Sequence, residues 1–122
     1  MKTLLILRHA KTERDNPAGD HARALTERGI HDATTAGHAI RRLVGTPDRI
    51  LTSDAHRAVQ TAQLAAAVCG GADRLVLDPA LYGADPDTLL AALRRQPDTA
   101  TTLVLVAHNP GLESLVPLLA GG

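Results

Sequence analysis

Apolar residues gather in four short runs: Leu4–Leu7, Arg49–Thr52, Leu75–Leu77 and Leu103–Val106. None alternates apolar with polar, the pattern of strands covered on both faces. The intervening segments repeat at a helical period. Thr26 is placed to N-cap a helix carrying Ile30, Ala33, Gly37, Ile40 and Val44. Ser53 or Asp54 can cap a second, with Val59, Ala62 and Ala66, stopped by Gly70-Gly71. Asp85-Pro86 is a cap followed by proline at the first helical position, ahead of Leu89, Leu90 and Leu93. A fourth helix starts near Pro110-Gly111 and carries Leu112, Leu115, Leu118 and Leu119. Strands alternating with helices predict a three-layer α/β/α sandwich with a mostly parallel central sheet. The expected organisation is one domain over residues 1–122, with the last helix followed by no further strand.

Composition narrows the function classes. Lys+Arg and Asp+Glu are 13 each, so no net charge points to nucleic acid or an anionic membrane as partner. The single aromatic residue, Tyr82, leaves no platform for stacking bases. One Cys excludes an internal disulfide and a thiolate-rich zinc site. The N-terminal apolar run is stopped at Arg8, too short for a signal peptide or a membrane span. A cytoplasmic protein is the expectation.

Ligands of parallel α/β sheets bind beyond the C-terminal ends of the strands. The first strand runs into Arg8-His9-Ala10, the second into Ser53-Asp54-Ala55-His56-Arg57, the fourth into Ala107-His108-Asn109-Pro110-Gly111. Two Arg and two His from three separate segments thus converge on one sheet edge. This is the composition of a phosphate pocket. Guanidinium groups fork onto phosphoryl oxygens and stay charged, and neutral imidazole is a nucleophile near pH 7. A backbone carbonyl can accept from one nitrogen of His9 and aim the other at phosphorus, while His108 can donate to a phosphoryl oxygen. A cation in a helix first turn, as Arg57 is, opposes the helix dipole and argues for a bound anion.

These three motifs, the second running on through Ala58-Val59-Gln60-Thr61-Ala62, in this order resemble the histidine phosphatase superfamily, whose fold is phosphoglycerate-mutase-like. Within it they are most similar to SixA-type phosphohistidine phosphatases. Asp20-His21-Ala22-Arg23-Ala24-Leu25-Thr26 and Leu81-Tyr82-Gly83-Ala84-Asp85-Pro86 resemble the same branch, and the likeness runs from Met1 to about Leu119. The resemblance implies His9 as the phosphate-accepting nucleophile. It implies Arg8 and Arg57 as phosphoryl ligands, and His108 as the group completing the pocket. It implies no metal and no cofactor. The implied reaction is hydrolysis of phosphohistidine on a signalling protein, such as a histidine-phosphotransfer domain, with inorganic phosphate as product.

Two departures bear on substrate. Ester-cleaving members often carry a Glu general acid after the third strand. Here Asp78 to Arg95 contains no Glu, only Asp78, Asp85 and Asp87, of which Asp85 is explained as a cap. An alkoxide needs a proton donor to leave, whereas a phosphoramidate has a weak P–N bond. The missing acid therefore tilts the substrate toward P–N bonds. The chain is also short after the fourth helix compared with SixA-like proteins, so dimerisation is a way to cover an exposed strand edge. The rival readings are a small-molecule phosphomonoesterase and a non-catalytic phosphate-binding module. Bland roles are expected elsewhere: His31, His38 and His56 as solvated, Cys69 as a buried apolar group, Tyr82 as packing and Asn109 as a turn former. His21 is open between a substrate-side role and a plain loop role.

Overall fold

The computed structural model describes residues 2–109 and 111–120. Strands β1 (Thr3–Arg8), β2 (Arg49–Thr52), β3 (Leu75–Leu77) and β4 (Thr102–Ala107) form one sheet in the order β1-β4-β2-β3. Every pairing is parallel. Helices α1 (Glu27–Val44) and α2 (His56–Cys69) cover one face, and α3 (Pro86–Arg94) and α4 (Gly111–Ala120) cover the other. The three-layer sandwich read from the apolar runs is the observed architecture.

Strand β4 shows why. It is flanked on both edges, and its side chains alternate between two cores. Leu103, Leu105 and Ala107 join Leu89, Leu93, Leu112 and Leu115 on one face. Val104 and Val106 join Ile40, Ile50 and the alanines of α2 on the other. Full burial of each such aliphatic side chain contributes roughly 1.5–3 kcal/mol over leaving it in water. Strand β3 departs from the expected double coverage. It is three residues long and among the described residues pairs only with β2, and Val76 and Leu77 are 40% and 49% exposed.

Helix boundaries follow local chemistry. The Thr26 hydroxyl accepts from Gly29 N–H at 3.0 Å, capping α1. Asp85 caps α3 through Thr88 N–H at 2.8 Å, with Pro86 at the first position. Gly70 ends α2 in the left-handed conformation, φ 83°, which favours glycine. Asn109 Oδ1 accepts from Glu113 N–H at 3.2 Å at the start of α4, the turn-forming role expected of it. Pro110, also read as part of that start, lies outside the described residues. Helices α1 and α2 pack closely because Gly37 has no side chain: a Cβ there would lie 2.6 Å from the Ala65 carbonyl oxygen.

Three local expectations are corrected. The residue before α2 is Ala55, with no side-chain cap, because Ser53 and Asp54 have other partners. Ile30 is 41% exposed, at one edge of the inward stripe of α1 formed by Gly29, Ala33, Gly37 and Ile40. Leu118 and Leu119 are also exposed, Leu119 beside Thr3 and Leu4 of β1, which is an edge strand among the described residues. No described helix is long and apolar enough to cross a membrane.

Candidate active site

Sheet order builds the site. Strand β4 lies between β1 and β2, with Arg8 opposite Ala107 and Thr52 opposite Val106. The ladder continues one step past the strands, as His9 N–H donates to Ala107 O at 3.3 Å and Ser53 N–H to Val106 O at 3.1 Å. His108, the next residue of the middle chain, therefore sits between His9 and Ser53. The imidazole centroids of His9 and His108 are 5.2 Å apart.

His9 is held as the sequence suggested. Its Nδ1 lies 2.9 Å from the carbonyl oxygen of Ala10, which can only accept, so Nδ1 carries the proton and Nε2 carries the lone pair. Ala10 is fixed in turn. Its N–H donates to Thr61 Oγ1 at 3.0 Å, and the Thr61 hydroxyl donates to Arg57 O at 2.8 Å. Burial, together with the nearby charges of Arg57, Arg8 and Arg23, lowers the His9 pKa against the opposing pull of its Ala10 hydrogen bond. His9 is thus neutral near pH 7.

His108 is buried, and burial first and the Arg57 charge second push its pKa down to about 4. Its Nε2 lies 2.6 Å from the Ser53 hydroxyl. Any bond from His108 to a phosphoryl oxygen must therefore use Nδ1, which has no partner among the described residues.

Arg57 occupies the first turn of α2 and is 5% exposed. Within the chain its guanidinium meets a carboxylate, Asp20. The guanidinium donates from NH1 to Asp20 O at 2.7 Å and from NH2 to Asp20 Oδ2 at 3.1 Å. Asp20 Oδ1 lies 3.0 Å from Arg23 Nε, and the Tyr82 hydroxyl donates to Asp20 Oδ2. The Tyr82 bond first, and the Arg57 and Arg23 charges with it, hold the Asp20 carboxyl below the usual carboxylate range. Arg8 is exposed at the end of β1, close enough for its charge to act on His9. All four residues expected from the sequence thus meet at one sheet edge.

Asp20, Arg23, Ser53, Thr61 and Tyr82 were not among the expected site residues. Each lies within a quoted motif, but only the fold shows its partner. The loop carrying Asp20 is anchored by the Thr12–Leu25 bridge and by Arg23 NH1, which donates to Glu13 O at 3.2 Å. Tyr82 lies edge-on to His108 at 5.7 Å and to His21 at 4.8 Å, with Arg57 over its ring at 5.8 Å. It packs, as expected, and it does so against His108 and Arg57 of the site. His21 pairs with Asp54 at 3.0 Å on the rim. His31, His38 and His56 are exposed and Cys69 is buried, as expected.

Two of the three acids after β3 have other tasks. Asp78 Oδ1 accepts from Ala80 N–H at 3.0 Å, and Asp85 caps α3. The Thr88 hydrogen bonds keep the Asp85 carboxyl below its ordinary pKa, the opposite of what a proton donor needs. Asp87 is exposed in the first turn of α3. No group of three or more His, Cys, Asp or Glu among the described residues is arranged to hold a metal ion.

A half-buried neutral imidazole beside a second imidazole and a buried guanidinium is an arrangement that can accept a phosphoryl group. Residues 4–85 match the histidine phosphatase superfamily, branch 1. The chain belongs to the histidine phosphatase superfamily. The uncharacterized protein Rv1276c of Mycobacterium tuberculosis is 38% identical over 114 residues, spanning 93% of this chain and 70% of its own length. A SixA-named protein of Nakamurella multipartitia superposes with TM-score 0.82 at 32% identity over 93% of this chain. The alignment spans 63% of that longer chain. A SixA-named protein of Agrobacterium tumefaciens gives TM-score 0.86 at 29% identity, covering 98% of this chain and 77% of its own. The histidine phosphatase fold therefore extends over nearly all of this chain.

Proposed function

We propose that the chain hydrolyses phosphohistidine on a protein partner through a covalent phospho-His9 intermediate. The observation that carries the reading is the hydrogen bond from His9 Nδ1–H to Ala10 O, which leaves a neutral ring with Nε2 free to attack. The Nε2 lone pair forms a bond to phosphorus as the substrate P–N bond breaks. The leaving imidazole departs neutral once its distal nitrogen has taken a proton from solvent. Water then attacks phospho-His9, breaks the second P–N bond and releases inorganic phosphate. Arg8 and Arg57 hold the phosphoryl oxygens, and His108 donates a hydrogen bond to one of them.

The carboxylates support a P–N substrate. Asp20 and Asp85 are both held ionised by their hydrogen bonds, so neither is suited to protonate an alkoxide. The resemblance to SixA-named proteins points the same way. A phosphorylated side chain on a partner in the cytoplasm is the corresponding physiological substrate.

The test is phosphate release from a histidine-phosphotransfer domain phosphorylated with phosphoramidate, run beside p-nitrophenyl phosphate, with wild type and His9→Ala. Release from phosphohistidine that disappears in His9→Ala is expected. Release from the ester alone would move the function to small molecules. Phosphate binding without release from either would make the chain a binding module.

A further inference from the structure

Ser53 meets His108 across 55 positions of sequence, and both side chains are buried. The Ser53 oxygen accepts from Ala55 N–H at 3.3 Å. Its own proton still needs an acceptor, and His108 Nε2, 2.6 Å away, is the one in reach among the described residues. Two tautomers of His108 compete. With the proton on Nε2, both the Ser53 proton and the Nδ1 lone pair would be buried without partners. With the proton on Nδ1, the Ser53 hydroxyl donates to Nε2, and a single group, Nδ1–H, remains open. Buried polar groups left unpaired are costly, so the second arrangement prevails.

We infer that Ser53 is a positioning residue that locks His108 as its Nδ1–H tautomer, so that His108 offers the phosphoryl group a neutral hydrogen-bond donor. The inference rests on the phosphoryl-transfer reading of the site and deepens it. The two histidines then share one tautomer but play opposite parts. Ala10 O takes the Nδ1 proton of His9 and leaves a lone pair for attack. Ser53 fills the Nε2 lone pair of His108 and leaves a proton for an anionic oxygen. The other tautomer of His108 would turn a bare lone pair on those oxygens. Arg57 Nε, likewise buried and without a hydrogen-bond partner among the described residues, is a second open donor of the same site.

The experiment is long-range proton–nitrogen NMR of the histidine side chains in the ¹⁵N-labelled resting protein near pH 7.5, with His108 assigned through His108→Gln. Wild type should show His108 protonated at Nδ1 and bare at Nε2. In Ser53→Ala the Nε2–H form should rise. Turnover of phosphohistidine in Ser53→Ala should fall roughly 10- to 100-fold in kcat, by analogy with loss of the outer hydrogen-bond partner of a metal-ligating histidine, with a smaller change in KM. Ser53→Thr, which restores the hydroxyl, should recover both the tautomer and most of the rate. A wild-type His108 protonated at Nε2 would overturn the inference even if Ser53→Ala fails to fold. An unchanged tautomer in folded Ser53→Ala, or a changed tautomer with undiminished kcat, would do so as well. The wild-type spectrum requires no turnover, so a chain that releases no phosphate would defeat the proposed function and leave the tautomer assignment to be judged separately.

Discussion

Replacing Arg57 with Ala tests the electrostatic centre of the site. The guanidinium is buried in the first turn of α2, and two of its nitrogens hold Asp20, at 2.7 and 3.1 Å. Its charge, after burial, is among the causes that keep both His9 and His108 neutral. Losing one preorganised donor to a developing anion costs roughly 2–4 kcal/mol of transition-state stabilisation. At about 1.4 kcal/mol per tenfold, kcat/KM on phosphohistidine should fall roughly 30- to 1,000-fold. With the Arg57 charge gone, the His9 pKa should rise toward its ordinary value, so the acid limb of the pH–rate profile should move to higher pH. Arg57→Lys keeps the charge and loses the fork, and should recover only part of the rate. Steady-state kinetics over pH, with circular dichroism as the check on folding, measures all of this. Near-normal kcat/KM with an unmoved acid limb would show that Arg57 serves only to anchor the Asp20 loop.

Acid should weaken the fold before its carboxylates titrate. Burial lowers the pKa of His108 from 6.5 to about 4, so between those values the unfolded chain binds a proton that the folded chain refuses. Stability is therefore full above about pH 6.5 and falls as pH drops toward 4. The loss is about 1–3 kcal/mol, with the lower end applying where water screens the ring. Thermal melting across pH 4–7.5 should follow that slope, and His108→Gln should flatten it. At the α1–α2 contact, Gly37→Ala would press a methyl to 2.6 Å from Ala65 O and 2.9 Å from the Val68 Cβ. Overpacking against backbone costs roughly 1–3 kcal/mol, so a clear loss in urea midpoint is expected. An unchanged midpoint would mean that the two helices are not held at that distance.

Much of the architecture was legible because its causes are local. Unbroken apolar runs marked β1, β2, β3 and β4 to within a residue or so at each end. Thr26, Asp85 and Gly70 act on backbone groups a few positions away, so they set helix limits wherever the chain goes. The convergence of Arg8, His9, Arg57 and His108 followed from one rule, that parallel strands end on a common edge. The capping role expected of Ser53 and Asp54 failed for the complementary reason. Each is a competent cap by chemistry, but His108 and His21 offered them partners that no local pattern announces. Asp20 was read as part of a motif and not as the counter-ion of Arg57, because the pair is separated by 37 residues. Strand order belongs to this second class. That β4 inserts between β1 and β2 depends on which pairing buries the most apolar surface on both faces, and this placement alone puts His108 between His9 and Ser53. Residue type and spacing thus settled which groups are present and where each element begins. The fold settled which hydrogen-bond partner each group finds, because a partner distant in sequence becomes near only when the two cores close.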